Sequence, residues 1–216
     1  MASATTPKRN GKRQSATRTS HEANILRVAE EVFAQLGYNG ASIDMIADRA
    51  GMSKQNMLYY FPSKEVLYRR VLENILNLWL EKMQLLEHSG EEPAQMLRNY
   101  ILGKIEISRQ YPNGSKVFAH EIISGAPFLS DFLRDNLVPQ LEADAKLVRG
   151  WIKQGKMDPV DPMHLFFTIW AATQTYADFS RQIEIALNKD SLSARDFEKA
   201  GDFLTHMVLK GLGISL

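Results

Sequence analysis

One stretch near the start of the chain, SIDMIADRAGMSKQNMLYYFPSKE from Ser42 to Glu65, restricts the possible folds more than any other. Ser42 and Ser53 each precede a short run with helical spacing, and serine is a preferred residue at a helix N-cap. Gly51 lies between the two runs, where a residue without a side chain lets the backbone turn sharply. Ala47 is small enough for a second helix to cross close over the first. The stretch therefore predicts two short helices that meet at a glycine, followed by the start of a third.

The second of these helices is predicted to present a polar first turn. Lys54, Gln55 and Asn56 point away from its apolar contacts, and a helix that enters the major groove of DNA presents its N-terminal side chains to base edges. Gln55 and Asn56 are suited to bidentate hydrogen bonds with bases, Lys54 to a guanine or a phosphate, and Leu58 to a thymine methyl group. The alternative is a helix face that is only solvated. The pattern favours sequence-specific binding to double-stranded DNA.

The same residues resemble the DNA-binding domain of the TetR family of bacterial repressors. The resemblance rests on an IAxxAG turn followed by SKxNxLYYFPSKE, and it extends from Ala23 to about Glu73. Two positions depart from the family pattern, since Ala41 replaces a common threonine and Leu58 replaces a frequent tyrosine. The resemblance implies a helix-turn-helix module whose phosphate contacts come from the following side chains: Ser42, Tyr59, Tyr60 and Lys64.

Charge divides the chain into two parts of opposite sign. Residues 1–70 carry 11 Lys and Arg against 6 Asp and Glu, whereas residues 71–216 carry 15 against 19. A basic part suits a polyanionic partner, and an acidic part is expected to stay away from DNA. Residues 1–20 contain five of the basic residues and no acid, so we expect a disordered basic arm that either reaches the minor groove or remains a solvated tail.

The composition narrows the class of protein. A chain of 216 residues with 44% hydrophobic content can bury a substantial core. No apolar run approaches the length of a membrane span, and the first residues lack the apolar region of a secretory signal, so we expect a cytoplasmic protein that has no contact with a membrane. The chain has no cysteine, which excludes disulfides and thiolate chemistry.

Helical periodicity continues through the remainder of the chain. The pattern predicts an all-α fold of about nine helices, with a helix-turn-helix domain over 21–66 and a larger ligand-binding and dimerisation domain over 67–216. The first helix is expected to run from Asn24 to Gly37, and Pro139 is expected to bend or split a helix. A helix that begins at Pro162 is apolar on nearly every side and is therefore predicted to be buried.

An enzyme is disfavoured by the residues that the sequence lacks. The five histidines include no pair at helical metal-binding spacing, and no nucleophile-elbow motif is present. The segment from Gly150 to Lys156 matches most of a phosphate-binding loop, but the next residue is Met157, which has no hydroxyl to bind magnesium. We therefore expect no catalytic residue, no metal and no cofactor.

The larger domain nevertheless combines aromatic and polar side chains in a way that suggests a ligand slot. Gln174 and Asp178 lie one helical turn apart among aromatic residues, and buried polar groups require partners. A flat polar ligand could supply them. The candidate ligand-binding residues are Trp79, Phe167, Trp170, Gln174, Tyr176 and Asp178. The alternative is ordinary core packing, in which Gln174 and Asp178 bond to Arg109, Lys104 or Ser108.

Outside the helix-turn-helix module the chain resembles the pyrimidine-utilisation regulators within the TetR family. The segments that carry this resemblance include EISRQYPNGSKVF, SGAPFL and WIKQGKMDPVDPMHLFFTIWAATQTYADF. The resemblance implies a homodimer that pairs its last two helices, a near-palindromic operator, and an effector such as uracil, thymine or a dihydropyrimidine. It implies a repressor of pyrimidine catabolism genes. The alternatives are another small planar or apolar effector, or control by a protein partner.

Overall fold

The computed structural model describes residues 10–88 and 92–214, with side chains for 18–84 and 92–214. These residues form ten helices and no strand, so the predicted all-α class is confirmed and the expected count of about nine is close. The helices are α1 Asn10–Gly40, α2 Ile43–Arg49, α3 Lys54–Tyr60, α4 Lys64–His88, α5 Pro93–Gln110, α6 Pro112–Ile123, α7 at 130–153, α8 Pro162–Asp178, α9 Ser180–Ala186 and α10 Ala194–Gly211. None of them is both long enough and apolar enough to cross a membrane.

The chain divides into two compact units, with the boundary between residues 71 and 72 inside α4. The sequence prediction placed this boundary at residue 66. The first unit holds α1 to α3 and the start of α4, and the second holds the remaining helices.

Capping side chains fix the starts of the short helices in the first unit. The Ser42 Oγ accepts a hydrogen bond from the Met45 N–H of α2 at 3.2 Å, and the Ser53 Oγ accepts one from the Asn56 N–H of α3 at 3.2 Å. Gly51 adopts a φ of 70° between the two helices. The core of this unit is buried and apolar, and it includes Ile25, Val28, Val32, Phe33, Ile46, Ala47, Met57, Phe61, Leu67 and Tyr68.

Helix α1 begins earlier than its apolar pattern predicts. It starts at Asn10 rather than near Asn24, so its helical backbone includes residues 10–20 of the expected arm, while residues 1–9 lie outside the described part of the chain. This segment contains Lys, Arg, Gln and Ala, which favour helix, and it has no proline to stop one. Apolar periodicity marks only the buried face of a helix, and residues 10–20 carry no apolar repeat by which it could be recognised. Gly37 ends the regular helix with a φ of 68° and a ψ of 178°.

Helix α5 lies at the centre of the second unit and contacts both α8 and α10. A large apolar core forms around it, including Met83, Leu97, Tyr100, Ile101, Trp151, Leu165, Phe166, Ile169 and Leu209. Two polar contacts join α5 to α8. The Trp170 Nε1–H donates to the Tyr100 Oη at 2.7 Å, and the Ser108 Oγ donates to the Thr173 carbonyl at 3.0 Å.

Two features of the longer helices bear on the sequence predictions. Helix α7 consists of Ser130–Phe132, a π-helical turn Leu133–Leu137 and Val138–Lys153. The wide turn directly precedes Pro139, where the missing N–H interrupts regular hydrogen bonding, so the predicted disturbance takes this form. Helix α8 is not buried on every side as expected, because Phe167 is 46% exposed.

Candidate nucleic-acid interface and ligand cavity

The first turn of α3 faces solvent. Lys54, Gln55 and Asn56 are all exposed, whereas Met57 in the next position is fully buried. Leu58 is half-buried, so part of its side chain remains accessible. The burial of Met57 anchors the helix on the core of the first unit and leaves the polar tripeptide pointing outward, as the sequence predicts.

Lys54 has a neighbour that sequence reasoning missed. Its Nζ lies 2.9 Å from the Asp44 Oδ2 of α2, and both side chains are more than half exposed. Exposed ion pairs contribute at most about 1 kcal/mol, so this contact leaves the ammonium group available to a stronger anion. The ten residues that separate the pair follow no helical spacing, and only the crossing of α2 and α3 brings them together.

The two tyrosines at the end of α3 differ in exposure. Tyr59 is 68% exposed and Tyr60 is half-buried, with their rings in an edge-to-face contact at 5.4 Å. The ring of His21 lies 6.2 Å from Tyr60, and the guanidinium of Arg18 lies 5.8 Å from the centre of the Tyr59 ring. These contacts place positive charge beside α3. Ser42 is also exposed, and its Oγ already caps α2.

Lys64 has a place that the sequence prediction did not anticipate. Its Nζ donates hydrogen bonds to the carbonyls of Tyr38 at 2.8 Å and Ala41 at 3.0 Å. The same ammonium lies 4.2 Å from the centre of the Tyr38 ring. Lys64 therefore ties the first turn of α4 to the backbone after α1, and its charge points into the module rather than outward to a phosphate.

The second unit contains a small cavity of about 60 Å³ between α4, α5, α6 and α8. Three of the six predicted ligand residues line it together, namely Trp79, Trp170 and Gln174. The other lining residues are Leu76, Leu80, Met83, Lys104, Phe118 and Leu137. The cavity is thus mainly apolar, with a small number of polar groups.

Two residues that line this cavity, Trp79 and Lys104, carry hydrogen-bond donors that have no acceptor among the described residues. The Trp79 Nε1–H is buried and, among the residues that the structure describes, has no hydrogen-bond partner. The Lys104 Nζ lies 4.3 Å from the centre of the Trp79 ring, and within the described residues it forms neither a hydrogen bond nor an ion pair. The Phe118 ring packs edge-to-face against Trp79 at 4.7 Å. Trp170 offers only its ring, because its N–H is donated to Tyr100.

Burial shifts the protonation equilibria of two groups in this region. Desolvation lowers the pKa of Lys104 to about 7, against the opposing effect of the Asp178 carboxylate. Desolvation raises the pKa of Asp178, although the Ser115 hydroxyl donates a hydrogen bond to its Oδ1 at 2.5 Å and thereby favours the charged form. Lys104 is therefore not held firmly in its charged state at neutral pH.

The other three predicted ligand residues lie away from the cavity. Phe167 precedes Gln174 by seven residues, about 10 Å along a helix, and is exposed. Tyr176 is about 200° around the helix from Gln174 and packs near the Phe197 ring at 6.2 Å. Asp178 binds Ser115 instead. These three residues do not line the slot. Their inclusion was wrong because spacing in sequence does not show where along α8 the neighbouring helices approach.

Sequence reasoning also missed part of the lining. Lys104 falls on the buried face of α5 between Ile101 and Ser108, and a lysine within an apolar stripe is a signal that was present in the sequence. Phe118 carried no such signal. The bonds expected from ordinary core packing differ as well, since Ser108 donates to Thr173 and Arg109 pairs with Glu106.

Helices α8 and α10 also expose a separate apolar face. A concave surface that encloses a volume of about 350 Å³ lies between these two helices and α5. The residues that line it include Ile101, Leu165, Ile169, Leu204 and Val208. Phe167 of α8 is about half exposed, and Phe203 and Met207 of α10 are more than half exposed. Exposed apolar side chains near an apolar concave surface are typical of a protein interface.

Both units of the chain match known protein families. Residues 25–71 match the family described as bacterial regulatory proteins, tetR family, and residues 72–215 match the YcdC-like protein, C-terminal region. The chain is 39% identical over 205 residues to the HTH-type transcriptional regulator RutR of Escherichia coli (strain K12), covering 95% of this chain and 96% of that protein.

Solved structures share the fold at lower sequence identity. The ketosteroid transcriptional regulator KstR2 of Mycobacterium tuberculosis superimposes with a TM-score of 0.71 at 18% identity, covering 88% of this chain and 94% of that one. AibR, solved in complex with isovaleryl coenzyme A and operator DNA, gives a TM-score of 0.69 at 18% identity, covering 87% and 97%. The two family matches and the RutR relative describe regulators rather than enzymes. The chain belongs to the TetR family, and it is a helix-turn-helix transcriptional regulator.

Proposed function

We propose that this regulator is a dimeric repressor of pyrimidine catabolism genes, which releases its operator when a pyrimidine base binds the cavity beside Trp79. The observation that carries the proposal is the buried Trp79 N–H, which has no partner among the described residues and belongs to a residue that lines the same cavity as Gln174. A buried donor without an acceptor costs about 1–3 kcal/mol, and a ligand carbonyl would remove that cost.

The shape and polarity of a pyrimidine base suit these groups. Such a base is flat and carries two carbonyls and two N–H groups, so one carbonyl can accept from Trp79 while the adjacent edge pairs with Gln174. The Trp170 ring supplies an aromatic contact. The resemblance to pyrimidine-utilisation regulators supports the same assignment. An internal cavity in this unit favours control by a small molecule over control by a protein partner.

The small size of the cavity also suggests how binding would act. A volume of about 60 Å³ accommodates only a few water molecules, so a ring enters only if lining side chains such as Met83 shift. A ligand changes an equilibrium only when it binds one state better than the other. Trp79 belongs to α4, whose first turn carries Lys64, so we propose that effector binding acts on operator affinity through α4.

On the DNA side we propose a division of roles within the first unit. Gln55 and Asn56 hydrogen-bond to base edges, Lys54 contacts a guanine or a phosphate, and Leu58 contacts a thymine methyl group. Phosphate contacts come from the exposed side of the module, namely Ser42, Tyr59 and Tyr60. We assign Lys64 to holding the module together, since two backbone carbonyls and the Tyr38 ring already engage its ammonium.

The apolar face of α8 and α10 supports the proposed dimer. Pairing of these helices with their copies would cover Phe167, Phe203 and Met207. A dimer that presents two recognition helices to successive major grooves requires half-sites about 34–36 Å apart, so the operator is expected to be a near-palindrome.

Titration calorimetry with uracil, thymine and dihydrouracil tests the effector. We expect heat from at least one of these rings, and loss of operator binding in a gel-shift assay at the same ligand concentration. No heat from any of them would reject the pyrimidine assignment and leave the DNA-binding role intact. Heat without operator release would reject the proposed regulation alone.

A further inference from the structure

We propose that Lys104 is the charged hydrogen-bond donor of the cavity, and that effector binding is coupled to proton uptake by its side chain. This inference rests on the proposed function, since it requires a ligand with a carbonyl acceptor at that position. It adds a dependence on pH that neither the family membership nor the proposed effector implies.

The amine of Lys104 belongs to a buried side chain that lines the cavity. Lys104 is 3% exposed and lies against the Trp79 ring. Among the described residues its ammonium makes this cation–π contact but forms no hydrogen bond or ion pair. A buried ammonium without an anion or a carbonyl acceptor is strongly penalised. Trp79 lines the same cavity and its N–H has no acceptor among the described residues, so the two residues together suit a ligand edge with two acceptors.

The charges that face Lys104 from neighbouring helices compensate its ammonium only weakly. The carboxylate of Asp178 on α8 is the group that favours the ammonium form. That carboxylate is itself held by Ser115 and lies near Lys116 and His120 of α6, which compete for its charge. From α4 the region receives the indole of Trp79 and the aliphatic stem of Lys82, which packs against Gly103. The ammonium of Lys104 is therefore poorly compensated.

The pKa of Lys104 determines how pH affects effector binding. Burial lowers the pKa of Lys104 to about 7, so above neutral pH the free protein holds much of this side chain as the uncharged amine. A ligand carbonyl that accepts a hydrogen bond stabilises the ammonium form and raises its pKa in the complex. Binding above neutral pH must then take up as much as one proton per site. Effector affinity is expected to fall about tenfold from about pH 6 to about pH 8.

Calorimetry of the intact protein with uracil in two buffers tests this coupling. Phosphate and MOPS both buffer over this range of pH and differ in ionisation enthalpy, so the difference in the observed heat gives the number of protons taken up. We expect uptake that approaches one proton per site at about pH 8 and nearly none at about pH 6. Equal heats in both buffers at about pH 8 would overturn the inference while leaving the effector assignment in place. No binding of uracil, thymine or dihydrouracil would overturn both.

Two lysine variants identify the group that takes up the proton. Lys104→Met keeps the aliphatic stem, and we expect it to abolish proton uptake and to weaken uracil binding about tenfold at about pH 6. Lys153→Met, at an exposed position on α7, should behave like the unaltered protein. Proton uptake that persists in Lys104→Met would assign it to another group and would overturn the inference. If this variant does not fold, the two-buffer measurement on the unaltered protein still decides the outcome.

Discussion

At the scale of single residues, neighbouring polar side chains of the first unit have separate roles that substitutions can distinguish. Gln55 is exposed on α3, so its removal should leave the core intact. Gln55→Ala is expected to weaken operator binding by about 1–3 kcal/mol and to relax base preference at one position of each half-site. Fluorescence anisotropy with single-base operator variants measures both effects. Unchanged affinity for every operator variant would contradict the base contact.

Lys64 is expected to behave in the opposite way. Lys64→Met removes two charge-assisted hydrogen bonds to the carbonyls of Tyr38 and Ala41 and should lower the free energy of unfolding by about 1–3 kcal/mol. Urea denaturation followed by circular dichroism measures this loss. The salt dependence of DNA binding provides the control, because loss of a phosphate contact reduces the slope by about one and a purely internal role leaves the slope unchanged.

Removal of the Trp79 indole N–H is expected to affect ligand binding and stability differently. Trp79→Phe keeps an aromatic ring against Phe118 but removes the unpartnered N–H. Without ligand, the loss of an unsatisfied buried donor should offset part of the lost packing, so we expect stability to change by less than about 1 kcal/mol. Uracil affinity should fall about tenfold in calorimetry. Equal affinity in the variant would show that the indole N–H does not contact the ligand.

At the scale of helices, the turn between α2 and α3 depends on backbone conformation rather than on space. Gly51 has a φ of 70°, and no atom lies within 4 Å of the position that a Cβ would occupy. Gly51→Ala should therefore cost about 1–2 kcal/mol of unfolding free energy, the penalty for a left-handed residue. Gly51→Asn is the matched control and should cost less, because asparagine tolerates this conformation. Equal losses for the two variants in urea denaturation would indicate a steric cause.

The helices also show which parts of the structure the sequence could predict. Helix starts followed from local chemistry, because Ser42, Ser53 and Pro162 mark them through capping or a fixed φ. The outward-facing first turn of α3 could be predicted from the spacing of the apolar residues along that helix. The start of α1 could not, since its first residues are basic or polar and carry no apolar repeat.

The cavity was only half predictable for a related physical reason. Periodicity along α8 identifies residues that share a face, and it correctly grouped Trp170 with Gln174. Periodicity does not show at which position along the axis of α8 the helices α4, α5 and α6 approach that face. Phe167 and Tyr176 were therefore included, and Lys104 was not considered as a lining residue. Contacts between helices distant in sequence supply this information, and one sequence without homologues does not contain it.

At the scale of the whole molecule, the segregation of charge and the exposed apolar face support one division of tasks. The basic part of the chain carries the exposed recognition helix, and the acidic part carries the cavity and the face of α8 and α10. Two copies must associate before two recognition helices can engage one near-palindromic site. Dimer formation and tight operator binding should therefore be lost together.

A charge placed on α10 tests this association. Phe203 is 59% exposed on α10 near the apolar concave surface, so Phe203→Glu would place a carboxylate in the proposed interface without entering the core of one subunit. Because burying an unpaired charge at an interface is strongly unfavourable, we expect a monomer in sedimentation equilibrium. Binding to a full operator should weaken to about the level of a half-site. Ile123→Glu is the matched control, since Ile123 is 81% exposed on α6, outside the proposed interface, and that variant should remain a dimer. A dimeric Phe203→Glu, or a monomeric Ile123→Glu, would move the interface away from α8 and α10.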